Sequence, residues 1–253
     1  MTKPTAQEPP IASPANARLR AIVRLHRRRE RENTGRFVAE GEDLLAAADA
    51  ADWPALERYC AAGSGLPGRQ VKPHLLGRVS TLGSGTRALA VYEQRFARPT
   101  GPVCVYLHGV ADPGNVGAAL RAALAFDGSC VALGPGCADP YSPKAVRASM
   151  GAVFRVPLAR AGPRELPGIR LALVPGAGRP LADAVAALHR RADDTLPDVS
   201  LLIGAEREGL SVEALREAEE TCHIAISGRA DSLNAAMALT VALYELAKHR
   251  IRR

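Results

Sequence analysis

Three turns between residues 112 and 234 combine glycine with amide, carboxylate, hydroxyl and guanidinium side chains. Their sequences are DPGNVG ahead of Arg121, GAEREGL from Gly204, and IAISG leading to Ser232-Leu233-Asn234. Each follows a predicted buried strand, and open α/β sheets bind ligands at the carboxyl ends of their strands. None contains the Gly-Lys-Ser/Thr of a phosphate-binding loop, and no GxGxxG follows a strand, which argues against nucleoside triphosphates and nicotinamide cofactors.

Each turn taken alone also has a structural explanation. Asp-Pro-Gly-Asn is a common turn sequence, Gly204 and Gly209 suit tight backbone, and Ser232 is a suitable cap for the final helix. Three such turns at the ends of three predicted strands favour a functional site over these separate explanations.

The elements that would carry the turns alternate between strand and helix. The patterns predict strands at 103–107, 130–133, 154–157, 171–174, 200–203 and 223–226, and helices over 116–126, from Ser142-Pro143, and over 181–189, 212–220 and 232–250. Because the predicted strands are apolar on both faces, they indicate an α/β fold with a mainly parallel sheet between helices.

A smaller α/β unit is predicted ahead of this domain. It has a basic helix over 17–31, strands at 36–40, 56–61 and 88–96, and helices at 42–51 and 75–82. The segment ARPTGP from Ala97 cannot continue a strand, so the boundary is placed there. We therefore expect a disordered Pro-rich leader at 1–15, a small α/β domain at 16–97 and a larger α/β domain at 98–253.

The basic helix is the clearest candidate for binding a polyanion. Lys and Arg exceed Asp and Glu by 33 to 26 over the 253 residues. The arginines of the helix are Arg18, Arg20, Arg24, Arg27, Arg28, Arg29 and Arg31, beside an apolar stripe of Ala21, Ile22 and Leu25. Phosphate binding and a merely solvated charged face both fit this pattern.

Cysteine usage and hydropathy limit the class of protein. The five cysteines are widely spaced and form no CxxC pair, which argues against a structural zinc site and against a disulfide framework. No apolar run is long enough for a bilayer and no signal peptide is recognisable, so the chain is predicted to be cytoplasmic.

The predicted last helix has two apolar faces. Leu233, Met237, Val241 and Tyr244 form one face, and Ala236, Leu239, Leu243 and Leu246 form the other. A sheet can cover only one of them, so a partner subunit or a third layer from the same chain must cover the second.

The three turns resemble the three motifs of the SpoU (TrmH-type) branch of the SPOUT methyltransferases. DPGNVGAALRAALAF is similar to the first motif, LLIGAEREGLS to the second and IAISGRADSLNAAMALTVALYE to the third, in the same order. The stretch RFVAEGEDLLAAA after the basic helix resembles, more weakly, the ribosomal-protein-like substrate-binding domain often fused ahead of this fold.

This resemblance implies an S-adenosylmethionine-dependent RNA 2′-O-ribose methyltransferase. It further implies a C-terminal trefoil knot and a homodimer whose sites form across the interface. By motif position, the cofactor would be bound in a bent shape by Ile203, Gly204, Ile224, Ile226 and Leu233.

The resemblance also assigns a catalytic set. It consists of Asn115, Arg121, Glu206, Ser232 and Asn234. Arg121 would stabilise alkoxide character on the ribose oxygen, with Asn115 holding Arg121 or the RNA backbone. Glu206 would orient the loops or the arginine, Ser232 would bond the incoming hydroxyl or its phosphate, and Asn234 would hold the knot together.

Two positions depart from the family pattern. Ile224-Ala225-Ile226 stands where Ile-Pro-Met is frequent, which implies a less rigid loop. His108 stands where an acid often precedes the first motif, as a possible proton acceptor or, more ordinarily, a structural residue.

Several functions compatible with these motifs remain open. Ribosomal and transfer RNA are both possible substrates, with the front domain favouring 23S ribosomal RNA by analogy. A rival interpretation is a non-catalytic RNA-binding protein with the same fold. A small-molecule or protein methyltransferase is a more distant alternative, because a small neutral substrate does not need the arginine-rich helix.

Overall fold

The computed structural model describes residues 9–83, 85–191 and 196–250, and these form two compact units. The N-terminal unit comprises the chain up to Gln94 together with Tyr141–Arg147. The C-terminal unit comprises Arg95–Pro140 and the chain from Ala148 onward. Within the described residues, no helix has the length and apolar character needed to cross a membrane.

The N-terminal unit is a four-stranded mixed sheet with helices. Its helices are α1 (Ala17–Leu25), α2 (Arg28–Thr34), α3 (Glu42–Ala50) and α4 (Pro73–Val79), and its strands are β1 (Arg36–Glu40), β2 (Glu57–Ala61), β3 (Arg69–Val71) and β4 (Ala88–Glu93). The strand order is β1-β4-β2-β3, with β4 antiparallel to both neighbours and β3 parallel to β2. Strand β3 was not predicted from the sequence.

The predicted basic helix over 17–31 is in fact two helices. The first helix ends at Leu25 and the second begins at Arg28. The buried Arg31 donates from Nη1 to the carbonyl oxygens of Leu25 and His26, at 2.8 Å each. These carbonyls lie at the end of α1, where a helix lacks internal donors. Arg31 is therefore a structural residue and is not available to bind phosphate.

The predicted disordered leader differs from the structure over its last residues. Residues 1–8 lie outside the described residues. Ile11 is buried, bridges Val71, and exchanges backbone hydrogen bonds with Gln70 and Lys72 at 2.9 and 3.0 Å. A disordered leader therefore does not extend to residue 15.

The chain from Val103 onward alternates between strand and helix as expected. Its strands are β5 (Val103–Leu107), β6 (Cys130–Leu133), β7 (Leu158–Arg160), β8 (Ile169–Leu173), β9 (Arg179–Pro180), β10 (Val199–Ile203) and β11 (Glu220–His223). Its helices are α5 (Pro113–Ala125), α6 (Pro143–Ala148), α7 (Leu181–Arg191), α8 (Val212–Glu217) and α9 (Ala235–Arg250). Two short 3₁₀ helices lie at Ala152–Phe154 and Pro163–Glu165.

All seven strands of the C-terminal unit pair in parallel, which confirms the predicted sheet. Their order is β7-β6-β5-β10-β8-β11-β9. Every residue of β5, β6 and β10 is buried, as expected for strands covered on both faces. Because β5, β10, β8 and β11 are successive neighbours, the loops after their carboxyl ends meet at one edge of the sheet.

Four predicted elements differ from the structure in position or length. Of the residues predicted as a strand at 154–157, only Phe154 lies in an element, a 3₁₀ helix that begins after Gly151, whose φ is +88°. Residues 155–157 lead into β7, which starts at Leu158. The strand predicted at 223–226 is β11, which ends at His223. The helix predicted from 212 ends at Glu217, and the last helix starts at Ala235, so Ser232 and Leu233 precede it.

Helix α9 packs against α5 and α7 and keeps one apolar face uncovered. Ala236, Leu239, Leu243 and Leu246 are buried. Met237, Val241 and Tyr244 are 63, 41 and 55% exposed. No described part of the chain supplies the third layer that would cover this second face.

Candidate active site

A cavity of about 400 Å³ lies at the carboxyl ends of β8, β10 and β11. Three neighbouring strands end there, which explains why segments far apart in sequence form one hollow. Seven of the predicted site residues line it: Ile203, Gly204, Glu206, Ile224, Ile226, Ser232 and Leu233. The second and third motifs therefore meet as predicted.

The walls of the cavity are mainly apolar. Ile203 is buried at the end of β10, Ile224 and Leu233 are half-buried, and Ile226 is 41% exposed. Residues 224–226 are free to line the hollow because β11 has already ended at His223. A concave apolar surface with a few polar groups is the usual form of a small-molecule site.

Gly204 is required by the packing of its own loop. A Cβ there would overlap the carbonyl carbon of Gly209 and the amide nitrogen of Leu210. The loop closes on itself, with Ala205 and Gly209 exchanging backbone hydrogen bonds at 3.0 and 3.2 Å. Glycine at position 204 therefore allows the backbone of Gly209 and Leu210, in the same motif, to pack closely against it. The loop closed in this way shapes one wall of the cavity.

A hydrogen-bonded network joins all three motifs. Glu206 Oε1 accepts from Asn115 Nδ2 at 2.5 Å and from Asn234 Nδ2 at 3.1 Å. Asn234 Nδ2 also donates to Asn115 Oδ1 at 3.1 Å. Asn234 Oδ1 accepts from the backbone N–H groups of Ala236 and Met237, so the same side chain caps α9.

The first motif starts helix α5. Asp112 is its N-cap and accepts from the N–H of Gly114 at 3.3 Å, and Pro113 occupies the first helical position. The helix therefore begins three residues before the predicted start at Val116. This brings Asn115 into the first turn, where it reaches Glu206.

Arg121 is placed differently from the other predicted residues. It lies on α5, is exposed, and does not line the cavity. Within the part of the chain that the structure describes, its guanidinium makes no hydrogen bond or ion pair. The structure thus leaves Arg121 available to a ligand outside the cavity.

His108 is half-buried and paired within the protein. Its Nδ1 lies 3.2 Å from the hydroxyl of Tyr106. Burial raises the pKa of Tyr106 to about 12, so this hydroxyl keeps its proton and can donate to the histidine. The contact favours the structural interpretation of His108.

Sequence reasoning missed the wall after β8. Leu173, Val174, Pro175 and Gly176 line the cavity, as does Asp231 in the third motif. Pro175-Gly176 is a turn directly after a buried strand, the same signal that identified the other loops, but it carries no polar side chain.

Metal ligands are not clustered in this chain as far as it is described. Residues 9–83, 85–191 and 196–250 hold no group of three or more His, Cys, Asp or Glu that could bind a metal. All five cysteines are free and buried.

Comparison with known proteins decides the family. Residues 102–244 match the SpoU rRNA Methylase family, and residues 16–98 match the MRM3-like substrate binding domain. The chain belongs to the SpoU rRNA Methylase family. The resemblance inferred from the three motifs is therefore confirmed.

Curated relatives of this SpoU family chain include RNA methyltransferases. The 23S rRNA (guanosine(2553)-2′-O)-methyltransferase RlmP of Bacillus subtilis is 25% identical, covering 93% of this chain and 98% of the relative. An uncharacterized tRNA/rRNA methyltransferase of Mycobacterium tuberculosis is 40% identical over 55% of this chain. The match spans 49% of that relative's length, so this SpoU chain corresponds to about half of it.

Solved structures of similar shape cover nearly all of the SpoU family chain. The AdoMet-bound rRNA methyltransferase of Sinorhizobium meliloti has a TM-score of 0.83 at 29% identity, covering 98% of this chain and 100% of that one. AviRb of Streptomyces viridochromogenes, in complex with AdoMet, has a TM-score of 0.78 at 25% identity, covering 93% and 98%.

Proposed function

We propose that this chain is an S-adenosylmethionine-dependent methyltransferase that modifies a ribose 2′-hydroxyl of structured RNA, with 23S ribosomal RNA as its substrate. The observation that carries the proposal is the cavity formed by the second and third motifs, tied by Glu206 and Asn234 to Asn115 of the first. Relatives that methylate 23S ribosomal RNA at the 2′-oxygen, and similar structures in complex with AdoMet, support it.

The cavity fits the cofactor in size and in lining. Its volume of about 400 Å³ lies within the range of small-molecule sites, ~300–1,000 Å³. Ile203, Ile224, Ile226 and Leu233 give the adenine ring apolar walls, and the backbone at Gly204 gives polar contacts. Carboxylates on the lining suit a cationic ligand. When bound, the cofactor supplies an electrophilic methyl group on a sulfonium.

The catalytic set divides into positioning and reacting groups. Asn115, Glu206 and Asn234 bond one another and hold the loops and the start of α5 in place. Arg121, exposed on the same helix as Asn115, binds the acceptor RNA and stabilises negative charge on the attacking ribose oxygen. Ser232, exposed on the cavity lining, bonds the incoming hydroxyl or its phosphate.

The N-terminal unit binds RNA through arginines that the protein does not neutralise. Arg20, Arg27 and Arg29 are exposed and make no ion pair within the described residues. Arg24 and Arg28 instead bond Glu30 and Glu32 at 3.3 and 2.8 Å. We place the division between this RNA-binding domain and the catalytic domain at residues 97–98.

The protein works as a homodimer through the uncovered face of α9. The apolar side chains there, Met237, Val241 and Tyr244, are too exposed for a face that stays in water. We further propose that the C-terminal domain is knotted, as in the SPOUT class, and that the enzyme acts in the cytoplasm, where ribosomal RNA is assembled.

The substrate assignment is tested by comparing RNA from cells with and without the gene. Nucleoside mass spectrometry of separated ribosomal and transfer RNA, with primer extension, locates any modification that disappears. Loss of one 2′-O-methyl nucleotide from 23S ribosomal RNA is the expected result. Loss from transfer RNA would change the substrate, and no loss from either pool would contradict the proposal.

A further inference from the structure

The charged groups around the cavity are strongly unbalanced. Glu206 and Asp231 line it together with His223, and within the described ranges no lysine or arginine does. The rest of the lining is apolar or small. Both carboxylates are exposed, so water screens them in part, and the apolar walls beside them make this screening weaker than on an open surface.

The two carboxylates are in different states. Glu206 accepts two amide hydrogen bonds, from Asn115 and Asn234. The carboxylate of Asp231 has neither a hydrogen bond nor an ion pair with any described residue. It therefore has no direct partner among the described residues.

The nearby helix end does not balance this charge either. The side chain of Asn234 already accepts from the N–H groups of Ala236 and Met237, at 3.0 and 3.3 Å. His223 Nδ1 lies 3.3 Å from the carbonyl oxygen of Ala177, which can only accept, so this nitrogen carries its hydrogen toward the protein. Asp231 is left as the charged group with which a ligand can pair.

We propose that Asp231 makes the cavity discriminate by charge between the methyl donor and the demethylated product. This inference rests on the proposed function. In methyl transfer the carbon–sulfur bond breaks, its electron pair stays on sulfur, and the ribose oxygen gains the methyl group while its proton passes to solvent. The donor carries one net positive charge at neutral pH, and the product S-adenosylhomocysteine carries none. A fixed carboxylate therefore stabilises the donor complex more than the product complex.

The consequence is relief of product inhibition. A methyltransferase that binds the adenosine and amino acid parts of the donor and of the product equally tightly would release its product slowly. One unit charge at about 6 Å in a partly exposed site changes affinity by about three- to tenfold. Asp231 supplies that preference from the lining of the cavity.

Calorimetric titration of the purified full chain tests this role with three probes. They are S-adenosylmethionine, S-adenosylhomocysteine and sinefungin, an unreactive analogue with an amine near the sulfonium position. Asp231→Asn is expected to weaken both cationic ligands by about three- to tenfold and the neutral product by less than about twofold. Asp231→Glu should restore the preference for the donor.

Glu208→Gln is the matched control. Glu208 is an exposed acid in the same loop as Glu206 but does not line the cavity. The Glu208→Gln substitution removes one negative charge close to the site, as Asp231→Asn does. If it leaves the ratio of the donor and product dissociation constants unaltered, the effect is assigned to Asp231. An equal change in both variants would mean a general surface field and would overturn the proposal.

The remaining outcomes are also decisive. A folded Asp231→Asn protein with an unchanged donor-to-product ratio refutes the role of Asp231. If the Asp231→Asn protein is not folded at the temperature of the titration, the donor-to-product affinity ratio of the wild-type protein is measured across a KCl series instead. Added KCl must reduce a preference for the donor that is based on charge, and it leaves any other preference unchanged. Wild-type protein that binds neither ligand would instead refute the proposed function.

Discussion

Asn234, the cap of the last helix, donates from Nδ2 to Oδ1 of Asn115, which lies 119 positions earlier in the chain. Both amides also donate to Glu206, so one carboxylate oxygen joins the turns after three different strands. The side chain of Asn234 thus fixes the start of α9 and the start of α5 together. Disturbing it should affect catalysis as well as stability.

Asn234→Ala should lower the free energy of unfolding and also reduce methyl transfer. Losing the cap of α9 costs about 0.5–2 kcal/mol, and Asn115 loses the hydrogen bond that its Oδ1 accepts from Asn234, so Glu206 alone holds it. Asn16→Ala is the control, because Asn16 caps α1 through the N–H of Arg18 at 2.9 Å and touches no part of the site. Thermal unfolding and initial rates of methyl transfer are measured for the Asn234→Ala and Asn16→Ala proteins. Equal activity in the two variants would mean that the network is only structural.

The composition of this network was predictable, but its connectivity was not. The motifs placed Asn115, Glu206 and Asn234 near one edge of the sheet. Which side chain bonds which depends on the order β5-β10-β8-β11, and strand order across a parallel sheet leaves no local trace in sequence. Arg121 shows the same limit, since its exposure follows from how α5 packs rather than from its motif.

Gly204→Ala should destabilise the protein and abolish cofactor binding. The new Cβ would overlap the backbone of Gly209 and Leu210, and such overpacking costs about 1–3 kcal/mol. Gly162→Ala adds the same methyl group where only Glu165 Oε2 lies near, at 3.5 Å. Calorimetry with the cofactor and thermal melts compare them. Normal binding by Gly204→Ala would show that the 204–210 loop does not shape the cavity.

Arg121→Ala should stop turnover while leaving cofactor affinity within a few fold. The arginine lies outside the cavity, and removing a group that stabilises charge in the transition state costs about 10²–10³-fold in rate. Arg216→Ala, an exposed arginine on α8, controls for loss of surface charge. Single-turnover rates and cofactor titrations separate the two effects. Retained turnover would mean that the role is misassigned.

Replacing Arg20, Arg27 and Arg29 by Gln should weaken RNA binding and flatten its dependence on salt. Each phosphate contact contributes about one unit to the slope of log K against log salt. The same three positions changed to Lys keep the charge and should keep most of the slope. Filter binding across a salt series measures it. An unchanged slope in the Gln variant would leave these arginines as solubilising surface.

The alternation of elements was predicted well where strands are continuous apolar runs. β5 and β6 agree with the prediction at both ends because they are short, wholly buried and bounded by turn residues. The prediction failed at 154–157 and 223–226, where apolar residues serve a 3₁₀ helix or a cavity wall instead of a sheet. Apolar character alone does not distinguish these environments.

Methyl transfer to RNA from a donor with a deuterated methyl group tests the central claim most directly. Purified chain, unmodified 23S ribosomal RNA and the labelled donor are incubated, and the digested nucleosides are analysed by mass spectrometry. We predict one nucleoside whose ribose 2′-oxygen carries the heavy methyl group, absent with Arg121→Ala. Heavy label on a base, or no label in any RNA by a protein that binds the donor, would contradict the account.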